Sequence, residues 1–196
     1  MLGCSQDALR DAAQERLDGR VELLRRESGG GAVLTGPWLL GVSVVLPSAH
    51  PWLGGGLLES YRHFAQLHGS VLAKLGIAAQ LLAPDRVVDV NERLGPMADW
   101  ACFGSLSPWE LVDAQGRKLV GLAQRRRQTG VLLVAGTLIA TPSWHLLCHA
   151  MGRAQDEAQL QRRTVSCEAL AGRPLAAQTL ASAMQQALAQ ALRQAA

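Results

Sequence analysis

GRKLVGLAQRRRQTGVLLVAGTLI, residues 116–139, holds two apolar runs at strand spacing with a short polar turn between them. Arg117 to Arg125 and Val131 to Ile139 read as strands, and Arg127 to Gly130 as the turn that folds them back into an antiparallel hairpin. Just upstream, Glu110 to Val112 reads as a third strand joined through the turn Asp113 to Gly116. Three consecutive antiparallel strands make a meander, which a doubly wound parallel sheet does not contain.

Outward from this meander the pattern changes period. After it, Ser143 can cap a helix running to Met151, and Leu180, Met184, Leu188 and Leu192 stripe a final one. Before it, Ala83 to Pro96 reads as a surface segment that its prolines keep from forming a long regular element. Leu57 to Gly76 carries apolar residues along one helical face, with Gly76 at the stop. LLGVSVVLP, Leu39 to Pro47, has strand composition and ends at proline. Gln6 to Asp18 suits a helix and Val21 to Leu24 a short strand. The expected class is α+β, a mixed, mainly antiparallel sheet with flanking helices, built as one domain over residues 1–196.

Composition narrows the functional classes. Apolar residues make up 48% and charged residues 18%, enough burial to offset ordering of the chain. A net charge of +3 is compatible with an acidic protein partner but falls short of a nucleic-acid footprint. The longest apolar run, Val131 to Ala140, is too short to span a bilayer, so no membrane is expected. Cys4, Cys102, Cys148 and Cys167 are widely separated and read as free thiols of a cytoplasmic protein. His145, Cys148 and His149 share a helical face, but without a glutamate between the histidines or a distant third ligand they read as ordinary packing. No bound metal is expected.

Three segments can carry chemistry. RRESGGGAV, residues 25–33, sets Arg25 and Arg26 before Ser28, Gly29, Gly30 and Gly31, whose bare backbone lets amides approach a carboxylate or phosphate; the bland alternative is a flexible hairpin beside solvated arginines. In GRKLVGLAQRRR, strand alternation sets Lys118, Val120, Leu122 and Gln124 on one face and Leu119, Gly121 and Ala123 on the other. Gly121 and Ala123 weaken a strand unless something thin, such as an acyl chain, packs on them, while Lys118 is either functional or a rim lysine whose stem covers apolar surface. In ACFGSLSPWELVD, residues 101–113, a turn-rich stretch followed by a strand could bring Cys102 to Lys118, where a cation favours thiolate; a buried structural thiol is the alternative. Arg125, Arg126 and Arg127 read as a solvated strand end or a docking point for an acidic carrier.

Taken in order and spacing, these segments resemble the lipoate–protein ligase and octanoyltransferase family, which shares the biotin–protein ligase catalytic fold. RRESGGGAV is similar to its arginine- and glycine-rich acyl-binding loop, GRKLVGLAQRRR to the strand bearing its active-site lysine, and VLLVAGTLI to the strand that follows. The resemblance implies a class II aminoacyl-tRNA synthetase/biotin synthetase-like fold and protein lipoylation. A lipoyl or octanoyl group would pass to a lysine of a lipoyl-domain or glycine-cleavage-type carrier. It further implies that Arg25, Arg26, Ser28, Gly29, Gly30, Gly31, Gly121, Ala123, Gln124, Gly136 and Thr137 bind acyl group or nucleotide, and that Lys118 contacts the acyl carbonyl. Cys102 aligns with the cysteine that forms a thioester intermediate in the transferase branch having CF and then YEL or WEL before the lysine strand. Two routes stay open: ATP and Mg activating free lipoate, or Cys102 accepting the acyl group from a thioester donor without ATP. A non-catalytic acyl-binding module is the third reading. Many family ligases have His-Asp after the glycine loop, where this chain has Thr35, Gly36, Pro37 and Trp38, and the family's usual N-terminal helix and strand before LGxxQ are expected to be missing here.

Overall fold

The computed structural model describes residues 1–19 and 21–194. Its centre is a five-stranded antiparallel sheet: β1 (Leu39–Pro47), β2 (Gln80–Leu81), β3 (Leu111–Val112), β4 (Lys118–Arg127) and β5 (Gly130–Leu138), in spatial order β1-β5-β4-β3-β2. The hairpin of residues 116–139 is the middle of that sheet, and β1 pairs along the whole outer edge of β5, from Leu39 opposite Leu138 to Pro47 opposite Gly130. The α+β expectation holds.

Helices α1 (Arg10–Leu17), α2 (Gly56–Lys74), α3 (Val87–Arg93), α4 (Trp144–Ala150), α5 (Glu157–Arg163), α6 (Cys167–Ala171) and α7 (Ala177–Gln194) surround the sheet. The apolar stripes of α2 and α7 lie against one face of the strands. There Phe64, Val71, Leu72, Leu180 and Met184 pack on Val44, Leu46, Val120, Leu133 and Ala135. A second cluster gathers at one end of the other face, where Phe103, Trp144, Leu147 and Leu160 meet Leu138 and Val33.

Two expectations change. Val21 to Leu24 is no strand: only a single bridge joins Leu2 to Arg25, because Leu2 spends its N–H on Leu24 O and its carbonyl on Arg26 N–H, and no second residue extends the pairing. Residues 83–96 carry more structure than their prolines suggest, a turn Pro84–Arg86 leading into α3. Buried Arg163 of α5 explains it. It donates to the carbonyls of Asn91, Gly95 and Pro96 and to the Asn91 side chain, supplying tertiary anchors that local sequence lacks.

Candidate active site

The position of β4's lysine follows from an irregularity. Val112 pairs with Lys118 and Leu111 with Val120, so Leu119 is an extra residue, a β-bulge. The bulge reverses the alternation at this point. Lys118 lies over Gly121, where a Cβ would come within 3.1 Å of the lysine Cε, instead of sharing a face with Val120 and Leu122 as unbroken alternation predicts.

Lys118 is 2% exposed and its ammonium is fully engaged. Nζ lies 2.7 Å from Glu110 Oε1, and donates to Cys102 O at 2.7 Å and Ser105 O at 3.1 Å. The Phe103 ring centroid stands 5.4 Å away. Glu110, also buried, is the counter-charge that sequence reasoning missed. Its Oε1 further accepts from Leu122 N–H and its Oε2 from Ser107 N–H. Burial pushes the Glu110 carboxyl up, against the pull of the Lys118 ammonium and those two amides. The backbone explains the placement: β3 starts only at Leu111, so from Leu122 onward β4 has no described strand on its β3 side, and the carboxylate takes the N–H that a longer β3 would have taken. Trp109, at φ 66, turns the chain into this arrangement, a left-handed conformation that costs a non-glycine residue on the order of 1 kcal/mol. A lone Glu in a Trp-Glu-Leu-Val run, followed by a lone Lys in the next strand, was the available signal.

The glycine loop reaches this centre by close backbone approach. Ala32 N–H bonds to Trp100 O and Cys102 N–H to Ala32 O, stitching the loop to residues 100–102. Gly31 is required there, since a Cβ would lie 2.4 Å from Trp100 O, and Gly30 turns the loop at φ 92. Arg26 braces the loop from within, donating to Gly29 O and Gly31 O. Glu27 ties it across to Arg125 and Arg127 of β4 in ion pairs at a strand end that stays exposed. The result is a polar cavity of about 280 Å³ into which Gly29, Gly30, Gly31, Cys102, Lys118 and Asp99 face.

Adjoining it is a second, apolar slot of about 350 Å³ on the sheet face that carries neither α2 nor α7. Cys102 and Ala123 border both spaces. The slot's floor is made of Gly41, Gly136 and Gly121, which stand in register across β1, β5 and β4, with Ser43, Val134 and Ala123 in the next row. Phe103, Val33, Arg26 and Ser28 close it from above.

The sequence-derived residues therefore divide. Lys118, Cys102, Gly29, Gly30, Gly31 and Gln124 border the polar cavity. Arg26, Ser28 and Gly136 border the apolar slot, and Gly121 and Ala123 its β4 side. Thr137 does neither: paired with Leu40 and Val120 and 2% exposed, it belongs to the half of the alternation that points away from the slot. Arg25 lies outside both spaces, bonding Cys4 O and 3.6 Å from Asp7. Gln124 is held through Leu57 O and Ser60 of α2. Among the other thiols, burial pushes Cys148 up to about 11 and Cys167 up to about 12, which leaves both as unreactive packing groups.

Comparisons with known proteins bear on the family and the fold. The lipoyl protein ligase A/B catalytic domain matches residues 1–189. The octanoyltransferase LipM of Kyrpidia tusciae is 33% identical over 198 residues, covering 97% of this chain and 70% of that protein. The octanoyltransferase LipM of Moorella thermoacetica is 36% identical over 131 residues, 67% of this chain and 44% of that protein. Of solved structures, a lipoate protein ligase of Thermoplasma acidophilum with bound lipoic acid superposes with a TM-score of 0.65 at 18% identity, over 98% of this chain and 67% of that one. A lipoate-protein ligase A bound with ATP gives 0.63 at 18% identity, over 98% and 68%. The fold is thus the class II synthetase-like one expected. With nearly its whole length matched, the chain belongs to the lipoyl protein ligase A/B catalytic domain family.

Proposed function

We propose that this chain attaches a lipoyl or octanoyl group to a lysine of a lipoyl-domain carrier protein, through Lys118 and Cys102. The observation that carries the reading is the junction of two spaces. An apolar slot suited to a thin chain runs into a polar cavity holding a buried cation, and Cys102 stands at the border. The partner class is supported by an archaeal lipoate protein ligase described together with its E2 lipoyl domain, which shares this fold with a TM-score of 0.64.

In this reading the acyl chain lies in the slot with its carbonyl at the mouth of the polar cavity. Attack on that carbonyl places negative charge on its oxygen. A positive charge already fixed in a dry site stabilises the oxyanion without reorganising, an effect worth on the order of 3 kcal/mol. Lys118 must exchange one acceptor for the new oxygen, and its Ser105 contact at 3.1 Å is the longest of the three. Glu110 keeps the ammonium in place while this occurs.

The relatives that share a third of their aligned residues with this chain are octanoyltransferases, which favours the thioester route. Cys102 Sγ attacks the donor thioester, the acyl–sulfur bond to the donor breaks, and the donor thiol leaves with the proton that Cys102 gives up. The free-base amine of the carrier lysine then attacks the acyl-cysteine, forming the amide and returning the thiol and its proton to Cys102. In the alternative route ATP and Mg convert free lipoate to an acyl-adenylate and pyrophosphate, and the lysine displaces AMP. The ATP-bound neighbour supports this only through its fold.

Intact-mass measurement after incubation with an octanoyl thioester tests the first route. Wild type is expected to gain one octanoyl group and then pass it to a carrier domain. Persistence of the mass shift in Cys102→Ala, which has no side-chain acceptor, eliminates Cys102 as acceptor and leaves the ATP-dependent route to be tested with free lipoate.

A further inference from the structure

The slot crosses the strands, and this direction gives it a length. Lys118 lies over Gly121 on β4; from there the floor continues through Gly136 on β5 to Gly41 on β1. Adjacent strands are about 4.8 Å apart, so the floor from Gly121 to Gly41 covers two spacings, roughly 9.6 Å. An extended alkyl chain with bonds of about 1.5 Å at tetrahedral angles advances roughly 1.25 Å per carbon, so eight carbons need about 9 Å. Among the described residues the floor stops at Gly41, because β1 is the edge strand of the sheet.

The three glycines differ in what surrounds them. A Cβ on Gly121 would press on Lys118 Cε at 3.1 Å, and one on Gly136 would touch Leu39 and Phe103 at 3.5 and 3.8 Å. A Cβ on Gly41 would meet nothing within 4 Å, although Gly41 borders the slot. Packing therefore accounts for the missing side chain at Gly121 but not at Gly41. Nor does backbone conformation, since Gly41 is not among the residues at positive φ. Strand composition would also favour a β-branched residue there, as at Val42, Val44 and Val45.

We propose that Gly41 is a specificity-determining residue that sets how many acyl carbons the slot accepts, by leaving the last stretch of its floor bare. The inference rests on the reading of the slot as the acyl site, and it concerns the length of the chain, independently of which donor delivers it. Each methylene added from four to eight carbons contacts floor and strengthens binding; those beyond eight run past β1 and gain little.

The test is direct binding of straight-chain fatty acids from butanoate to dodecanoate by calorimetry, on wild type, Gly41→Ala and Gly41→Val, alongside transfer from the matching thioesters. Wild-type affinity is expected to rise to octanoate and then level. In Gly41→Val the rise ends about two carbons earlier, and since each buried methylene is worth roughly fourfold, the octanoate-to-butanoate affinity ratio falls about tenfold or more. Gly41→Ala falls between. Thermal midpoints within a few degrees of wild type establish that the variants fold. An octanoate-to-butanoate ratio unchanged in both folded variants overturns the proposal. Chain-length-dependent binding without transfer to any carrier overturns the proposed function while leaving the length limit standing.

Discussion

The two faces of β1, β5 and β4 are built from the same strands and do opposite things. On the face covered by α2 and α7, Val44, Leu46, Leu133 and Ala135 fill the space between sheet and helices. On the other, the residues one step along each strand are Gly41, Ser43, Val134, Gly136, Gly121 and Ala123, and among the described residues no helix covers them, so the space above becomes a slot. Period-two alternation therefore gives single strands two different faces: one set of side chains packs the core, while the smallness of the other leaves the slot open. Ionisable groups are divided in a similar way. Lys118 and Glu110 form a satisfied pair beside the slot, whereas His68 of α2 is buried within the packed side with its Nε2 unpartnered.

The largest break between the faces is expected from Lys118→Met. Loss of the cation should reduce carrier acylation by about 100- to 1000-fold, and the abandoned buried Glu110 should cost roughly 3–5 kcal/mol of stability by denaturant titration. Adding Glu110→Gln should recover much of the stability and none of the activity; recovery of acylation in that double variant would exclude Lys118 from the chemistry. Next, Leu133→Ala, on the packed face, should cost about 2–5 kcal/mol while the folded fraction keeps its acyl preference. A changed chain-length preference in that variant would mean that the two faces are coupled.

The third prediction concerns pH. Burial holds His68 down at about 4, against the partial support of its Nδ1 bond to the Phe64 carbonyl. Its folded value lies below the unfolded 6.5, so the unfolded chain takes up the proton first. The stability is whole above pH 6.5, declines as pH falls towards about 4, and levels off below that. The loss should approach about 3 kcal/mol. Chemical denaturation of wild type and His68→Leu across that window would measure it, and equal slopes in the two proteins would remove His68 as the cause. The smallest effect is expected from Val134→Ala on the slot face: less than about 1 kcal/mol in stability, because no helix packs over that residue, with a measurable weakening of octanoate binding. A stability loss as large as that of Leu133→Ala would erase the distinction between the faces.

Much of this was legible before any coordinates. The β4–β5 hairpin, the long helix α2 and strand β1 follow from apolar period and turn residues, and they occur within a residue or two of where those patterns end. The glycine loop and Lys118 stood out because their residue types do not suit an ordinary hairpin or strand. Less legible was whatever depended on a distant partner. The helix α3 has the anchors of Arg163, more than sixty positions away, and nothing local announces them. Thr137 looked equivalent to Gly136 from the resemblance, but successive residues of a strand face opposite ways, and only the pairing of β5 decides which one meets the slot.

The amino-acid sequence by itself determined the α+β class, the meander and the identities of a lysine, a cysteine and three consecutive glycines set apart from the core pattern, because periodicity and side-chain chemistry are local properties. Tertiary structure alone decided that Lys118 turns onto the Gly121 side, that Glu110 neutralises it and that three glycines from separate strands align as one floor. Each of these depends on a bulge or a strand register, which is set by the packing of residues remote in the chain and has no signature in any one segment.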